Sequence, residues 1–277
     1  MVHEPLWYDD APCSADLFAP PPCVTASLQG LDFESGSRAR SRITLGGWEG
    51  WTNGPARTGG PVPWEHADGG IKADVYATGR RITLEGLIIE PSPGRLWERM
   101  EELGSILTSP RWDQLVITEE HLNLVRQIEV TRLQQPMITP RSSRIAAYTL
   151  ELEAADSRRT DVDVQSATIS TAGTALQNIG TVDADLNFTL TGPLTTPGFS
   201  WSGGAWSYGG NLAAGERLFV DATRRTVRDP DTTGHSREKL LGLGAGSWPR
   251  LAPGTTTFWR TGSGAGSISV SWRSSWA

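Results

Sequence analysis

Only one stretch of this 277-residue chain repeats its apolar residues at helical spacing. Between Arg95 and Thr108, Leu96, Met100, Leu103 and Leu107 recur at i, i+4, i+7 and i+11, one stripe on a helix, with Glu98, Arg99, Glu101 and Glu102 on its other faces. Ser109-Pro110 follows, and the residue before a proline is pushed out of the helical region. Everywhere else apolar residues alternate or form short blocks, and 31 glycines and 18 prolines supply most of the breaks between them. The pattern predicts a mainly β protein with one helix over 95–108.

The blocks divide into two kinds of sequence. Val24 to Leu31 and Arg42 to Leu45 read as strands, and Arg80 to Ile89 pairs with Ile71 to Ala77 about Thr78-Gly79. Gln114 to Ile117 and Leu124 to Leu133 follow the helix, and Ala146, Tyr148, Leu150, Leu152 and Ala154 alternate strictly with polar or small residues. This predicts an N-terminal β-rich barrel or sandwich over 1–160, bounded by the polar run from Asp156 to Asp161. The stretch from Gly46 to Gly70 has no periodicity and reads as a long loop; its Trp48, Trp51 and Trp64 pack either on a neighbouring chain or over the domain's own core. Residues 161–277 hold only short strands between turn residues, which predicts a β-sandwich.

Charge and cysteine content exclude several functions. Lys+Arg 25 against Asp+Glu 31 leaves 25 − 31 = −6, so there is no basic field to hold phosphates of nucleic acid. Residues 1–160 carry 16 − 22 = −6 of it and the remainder 9 − 9 = 0. No apolar run approaches the about 18 residues of a membrane helix, and the opening Met1-Val2-His3-Glu4-Pro5 has no basic or apolar leader, so neither a membrane location nor signal-peptide secretion is expected. Cys13 and Cys23 flank Pro20-Pro21-Pro22 and are too few for a disulfide framework. Lys72 and Lys239 are the only lysines, which points to genome composition more than to function.

No constellation for catalysis stands out. His3, His66, His121 and His235 are scattered without metal-ligand spacing, and His3 with Cys13 and Cys23 matches no zinc pattern. Gly242-Leu243-Gly244-Ala245-Gly246 precedes Ser247-Trp248-Pro249 instead of a helix, so it is read as a turn and not a phosphate loop. Asp183 and Asp185 are read as strand neighbours facing water, too few oxygens for calcium. Glu85, Glu151, Glu153 and Asp221 are carboxylates on strands, and nothing singles out an acid pair. We expect no enzyme activity, no cofactor and no metal. The run from Phe199 to Gly210 is the best local candidate for glycan stacking, through Trp201, Trp206 and Tyr208, although the same alternation suits aromatics laid into a sandwich core, the favoured reading.

An ordered set of motifs brings these segments together. Asn178-Ile179-Gly180-Thr181 precedes a strand ending in Thr191-Gly192-Pro193. Then come Leu212 to Asp221, Arg224-Arg225-Thr226-Val227, Trp248 to Gly254 and a terminal Ser267 to Arg273. This succession resembles the C-terminal domain of the distal tail proteins, or minor tail proteins, of long-tailed siphophages, especially those infecting actinobacteria. More loosely, Arg81-Ile82-Thr83-Leu84-Glu85-Gly86, the helix Leu96 to Leu107 and the strands after it resemble the same family, so the likeness runs from about Val24 through most of the chain. The insert Gly46 to Gly70 departs from it.

The resemblance implies a phage virion structural protein. Its N-terminal domains would form a homo-oligomeric ring, six subunits in the usual case, with a central channel for DNA, and galectin-like C-terminal β-sandwich domains would project outward. The implied partners are the tail tube protein, the tape-measure protein and tail-tip hub or adhesion proteins. The implied location is the virion tail tip, assembled in the host cytoplasm, with no sequence-specific nucleic acid binding. An acidic first domain is compatible with a lumen that DNA traverses without sticking. Ring closure needs head-to-tail contacts, and we expect them at Arg81, Ile82, Leu84, Arg126, Ile128, Val130 and Arg132, with charge reversal at Arg126 and Arg132 disturbing assembly. The alternative reading is a carbohydrate-binding or cell-wall-degrading tail-tip component.

Overall fold

The computed structural model describes residues 24–35, 41–54, 57–60, 62–63, 68, 70–71, 75–108, 111–228, 241–242 and 248–277. Cys13, Cys23, His3, His66, His235, Trp64, Lys72, Lys239 and residues 243–246 lie outside the described residues. The chain divides into two compact units, Met1–Ser157 and Arg158–Ala277, with the boundary inside the polar run from Asp156 to Asp161.

The first unit opens with β1 (Val24–Leu28) and β2 (Leu31–Glu34), which the sequence suggested as one strand. Gln29 and Gly30 break it, with φ of 51° and 80°, and Leu28 faces Leu31 across a two-residue hairpin. Two successive positive φ values are what the right-handed strand twist requires of so short a turn, and glycine takes the second at no steric cost. Next come β3 (Arg42–Thr44), β4 (Gly47–Glu49) and four short strands, β5 (Arg57–Gly59), β6 (Val62–Pro63), β7 (Gly70–Ile71) and β8 (Val75–Ala77). The partner of Val75–Ala77 is β5 and not the following strand as expected. The long strands are β9 (Arg80–Ile89), β10 (Asp113–Glu119), β11 (Leu124–Arg132) and β13 (Ile145–Ala154), with the short β12 (Met137–Pro140) between the last two.

Seven of these strands close on themselves in the order β13, β9, β3, β2, β1, β10, β11, and back to β13 through the pairs Thr131↔Glu153 and Arg132↔Leu152. Closure removes the sheet edges that would otherwise recruit other chains. Strands β9 and β13 run together over their full length, from Arg80↔Ala154 to Ile89↔Ile145. Their period-two pattern puts Ile82, Leu84, Ile88, Ala146, Tyr148, Leu150 and Leu152 inside. Glycine at position 86 is required by proximity, because a Cβ there would collide with the Thr44 carbonyl oxygen. The barrel is packed with side chains and is not a channel: Phe33, Trp51, Leu115 and Ile117 are all fully buried in it. Trp51, from the supposed long loop, is therefore an anchor of its own domain, and Trp48 packs partly against the same core.

Helix α1 (Pro93–Ser105) starts two residues before the expected Arg95, because Ser92 caps it, its hydroxyl accepting from the Arg95 amide at 3.4 Å, and Pro93 fits the first turn. It buries Leu96 and Leu103. It ends before Thr108, the expected limit, because Leu107 has φ 51° and its amide donates to the Gln29 side-chain oxygen at 3.0 Å. Arg132 Nη1 donates to the Gly104 and Ile106 carbonyls, each at 3.0 Å, satisfying acceptors that a helix end leaves open.

Tyr148 ties the barrel wall together, its hydroxyl donating to the Thr44 carbonyl oxygen at 2.8 Å. Burial pushes this phenol far above the usual tyrosine value of 10.0, with the Glu85 charge adding to the effect. A folded-state pKa raised above the unfolded one gives stability that is full below pH 10.0 and lost as pH climbs toward the native value. Tyr148→Phe is expected to lose about 0.5–1.5 kcal/mol at neutral pH, the worth of one hydrogen bond. Above pH 10 its stability should fall less steeply than that of the parent chain. Equal alkaline slopes in urea unfolding series would refute the assignment.

The second unit is a sandwich of short strands. In chain order they are β14 (Arg159–Asp161), β15 (Gln165–Thr168), β16 (Thr174–Asn178), β17 (Leu186–Thr191), β18 (Leu194–Trp201), β19 (Gly204–Tyr208) and β20 (Asn211–Leu212). Then follow β21 (Arg217–Asp221), β22 (Thr226–Arg228), β23 (Leu241–Gly242), β24 (Gly254–Ser263), β25 (Ser267–Trp272) and β26 (Ser275–Trp276). One sheet has the order β15, β25, β17, β21, β22; the other has β16, β24, β18, β19, β23, with β20 beside β18. Between them lie Phe188 from the first sheet and Phe199 from the second, stacked at 4.0 Å between ring centroids and 13° between planes. Asn178, 1% exposed, holds the end of the sandwich. Its amide nitrogen donates to the Val182 and Leu251 carbonyls, and its oxygen accepts from the Gly180 and Ser275 amides. A buried amide so fully paired fixes one geometry, since every lost partner leaves a costly orphan.

Candidate functional site

The seven residues expected at a subunit interface fall into two groups. Ile82, Leu84, Ile128 and Val130 are at most 3% exposed and point into the closed barrel. Arg126 is buried beside them: its Nε donates to Glu119 Oε2 at 2.9 Å, its Nη2 makes a still shorter bond to the same oxygen, and its guanidinium lies 5.8 Å from the Trp51 ring centroid. Arg132 caps the helix. These side chains therefore hold the monomer's own fold, because barrel closure turns their common face inward. Arg81 alone of the seven is exposed.

The face that does meet solvent is the opposite one. On β9 and β13 the outward residues include Leu87, 39% exposed, and Ile89, beside Ala147 and Ile145 in register. The strand β12 extends this face, with Thr139 opposite Ala147 and Met137, 63% exposed, opposite Thr149. Among the described residues β12 pairs with β13 alone, so its other edge is open. An apolar sheet face that ends in an open edge is a surface that another chain can cover.

The barrel interior also holds charge that the sequence reading did not single out. Trp51 Nε1 donates to Glu119 Oε2 at 3.4 Å, alongside Arg126. Nearby Arg80 is 2% exposed and donates from Nε to the Ser157 carbonyl and from Nη1 to the carbonyls of Gly50, Trp51 and Asn53. Burial pulls the Arg80 guanidinium below the usual arginine value, and the charge of Arg126 pulls it the same way. Alternation carried a signal for both: Arg80 shares a face with Ile82 and Leu84, and Arg126 with Ile128 and Val130, so a strand pattern reading arginine, apolar, apolar marks a buried cation.

In the second unit the expected glycan-stacking residues do not form an open face. Trp206 and Tyr208 are each 2% exposed, inside the core. Trp201 is half-buried and stacks on Phe258 at 5.9 Å. Phe199 stacks on Trp206 at 5.2 Å, so the aromatic run is core packing between and within sheets. Asp185, expected to face water on a strand, lies off the strands and makes a bidentate pair with Arg158, both contacts at 2.8 Å. Asp221 caps a turn through the Thr223 and Arg224 amides. Glu85, Glu151 and Glu153 lie in the first unit on the outward faces of β9 and β13. Among the described residues no three His, Cys, Asp or Glu side chains gather as a metal site, and no helix is long and apolar enough to cross a membrane.

No protein-family model and no curated protein matches the sequence. Solved structures do match. The crystal structure of SPP1 Dit (gp 19.1), described as a paradigm of the hub adsorption apparatus in phages infecting Gram-positive bacteria, aligns with a TM-score of 0.68 at 13% identity, over 92% of this chain and 99% of that one. This chain has the Dit fold. The aligned share is too large to fit within either unit, so the Dit likeness takes in both. The phage P2 baseplate in its activated conformation with Ca also aligns, at 8% identity and a TM-score of 0.47, over 90% of this chain and 97% of that one.

Proposed function

We propose that this protein is a structural hub of a phage tail tip. It forms a ring, six copies in the reading we favour, that joins the tail tube to the tip complex and leaves a central conduit for DNA. The observation that carries this is the Dit fold over nearly the whole length of both chains. The packed barrel supports it further, since a conduit must then lie between subunits and not through one. The second unit, in the galectin-like role, would face tail-tip hub or adhesion proteins, and the first the tail tube and tape-measure proteins. Assembly is the whole of the activity in this reading: it needs no reaction, cofactor or metal. The protein would act at the virion tail tip after assembly in the host cytoplasm.

The ring contact we propose is the outer apolar face around Leu87, Ala147 and Met137 with the open edge of β12, in place of the buried residues first considered, and with Arg81 at its margin. A head-to-tail ring brings this patch against a different patch of the next copy. The test is native mass with negative-stain imaging. The expected particle is 6 × 30.0 = 180 kDa with a central hole, and Leu87→Asp should reduce it to 30.0 kDa without lowering its melting temperature by more than about 2 °C, as suits an exposed site. A Leu87→Asp chain that still forms the ring would remove this face from the interface. A parent chain that stays at 30.0 kDa at every concentration and on tail-tube templates would count against the hub itself.

A further inference from the structure

Asn53-Gly54 is the only Asn-Gly pair in the chain, since the other four asparagines, Asn123, Asn178, Asn187 and Asn211, each precede leucine, isoleucine or phenylalanine. An asparagine before glycine is the arrangement in which a chain most readily attacks itself. The glycine nitrogen has no side chain beside it to block its approach to the asparagine Cγ, and its backbone is free to turn. Both residues are exposed here. Gly54 lies outside the left-handed region of φ, and a Cβ built on it would meet no atom within 4 Å, so the space beside the attacking nitrogen is open.

The main-chain carbonyl of the same asparagine meets a buried cation. Arg80, 2% exposed, donates from Nη1 to the Asn53 carbonyl oxygen at 2.9 Å, and the same nitrogen reaches the carbonyls of Gly50 and Trp51. Its Nε meets the Ser157 carbonyl, and its Nη2 has no hydrogen-bond partner. Every acceptor is a neutral carbonyl, so among the described residues this guanidinium has no counter-charge. A buried ion without its opposite is strongly unfavourable. A cation on the carbonyl oxygen also draws electron density out of the peptide group. That makes the adjoining Gly54 N–H more acidic and the carbonyl carbon more open to attack, and it stabilises negative charge that develops on the oxygen.

We propose that Asn53-Gly54 is a site of spontaneous deamidation, and that Arg80 steers its product to isoaspartate and gains a counter-ion by it. In the first step the Gly54 nitrogen bonds to Asn53 Cγ, the Cγ–Nδ2 bond breaks, and ammonia leaves with the proton that the Gly54 amide gave up. The product is a succinimide ring, which water then opens at either of its carbonyls. Attack at the former main-chain carbon, whose oxygen Arg80 holds, breaks the bond from that carbon to the Gly54 nitrogen, and the chain now continues through Cγ. The former main-chain carbonyl becomes a free carboxylate where Arg80 Nη1 already donates. Each Asn53 thus consumes a water and releases an ammonia, and the buried arginine receives the negative charge it lacked. Hydrogen bonds to a carboxylate are stronger than those to a neutral carbonyl. The extra backbone methylene falls in an exposed segment, where insertions are tolerated. The reaction does not depend on ring assembly.

The test ages the full chain in mildly alkaline buffer, folded and, separately, unfolded in guanidinium chloride. Peptide mapping reads asparagine, aspartate and isoaspartate at residue 53, and thermal unfolding compares aged with fresh chain. The folded chain is expected to hold a larger isoaspartate share at residue 53 than the unfolded one, and to melt higher aged than fresh. Asn53→Gln and Gly54→Val should match the fresh parent in melting temperature, since both positions are exposed, and should lose both the isoaspartate and the rise on ageing. Arg80→Lys, which keeps a cation but loses the planar fork, should bring the isoaspartate share down to that of the unfolded chain. Should Arg80→Lys fail to fold, the folded and unfolded parent decide between them. No conversion at residue 53 in the folded chain overturns the proposal. So does an isoaspartate share no larger than in the unfolded chain, or an aged chain that melts no higher than the fresh one.

Discussion

Replacing Arg126 with alanine is expected to destabilise the barrel by about 3–5 kcal/mol, the cost of breaking a buried ion pair by removing one partner. Arg126 and Glu119 have side chains only 6% and 4% exposed, and both Arg126 bonds converge on a single carboxylate oxygen. Without the guanidinium, Glu119 keeps the long 3.4 Å bond from the Trp51 indole and no cation of its own. Charge reversal at Arg126 adds repulsion to that deficit, so a reversed variant should fail as a monomer before assembly is ever reached. The control is Arg126→Met with Glu119→Leu, which removes both charges and fills the space. It should recover most of the loss, because apolar replacement of a whole buried pair is often neutral. Urea unfolding of the three chains measures this. A single variant within 1 kcal/mol of the parent would show that Glu119 finds water or another donor in the barrel.

Phe199→Ala is the second large effect, with an expected loss of about 3–5 kcal/mol in the sandwich, as for other buried phenylalanines. Phe199 is 0% exposed and is the ring on which the others converge. It stacks on Phe188 across the two sheets and on Trp206 within its own, and it tilts against Phe258 and Trp201. Truncation leaves a cavity between sheets whose other walls are rigid rings held by strand pairing, so collapse recovers little of it. Trp201→Ala, at a half-buried position, should cost distinctly less. The ordering of the two variants in thermal unfolding is the check, and a Trp201 variant as damaging as the Phe199 one would refute this account of the core.

Much of the architecture is legible in the amino-acid order. Apolar stripes at 3.6 and 2.0 residues per period identify α1 and the long strands, while the stripe alone set the helix start at Arg95 and passed over the cap at Ser92 and Pro93. The helix end was less legible, because a left-handed Leu107 depends on an amide bond to Gln29, 78 positions away in sequence. The role of Trp51 was hidden for a similar reason: nothing local in a Gly- and Pro-rich stretch indicates that the chain folds back to fill the barrel. In the second unit the motif Asn178-Ile179-Gly180 carried the family likeness, yet its physical basis lies in distant partners. Asn178 bonds to Leu251 and Ser275, and a Cβ at Gly180 would collide with the Ser275 carbonyl oxygen.

By itself the sequence determined which residues share a face: Arg126 with Ile128 and Val130, Arg80 with Ile82 and Leu84, Leu87 with Ile89. That follows from strand geometry, which alternates side chains across the sheet whatever the rest of the chain does. Tertiary structure decided what covers the apolar face. The pairs Thr131↔Glu153 and Arg132↔Leu152 bring β11 to β13 and shut the barrel with the arginine-bearing faces inward. Apolar alternation marks the face that needs burial, but a covering chain or the barrel's own closure could supply it, and only long-range pairing decides between them. Closure thereby made Arg126 and Arg80 supports of the core and Leu87 a candidate contact for the next subunit.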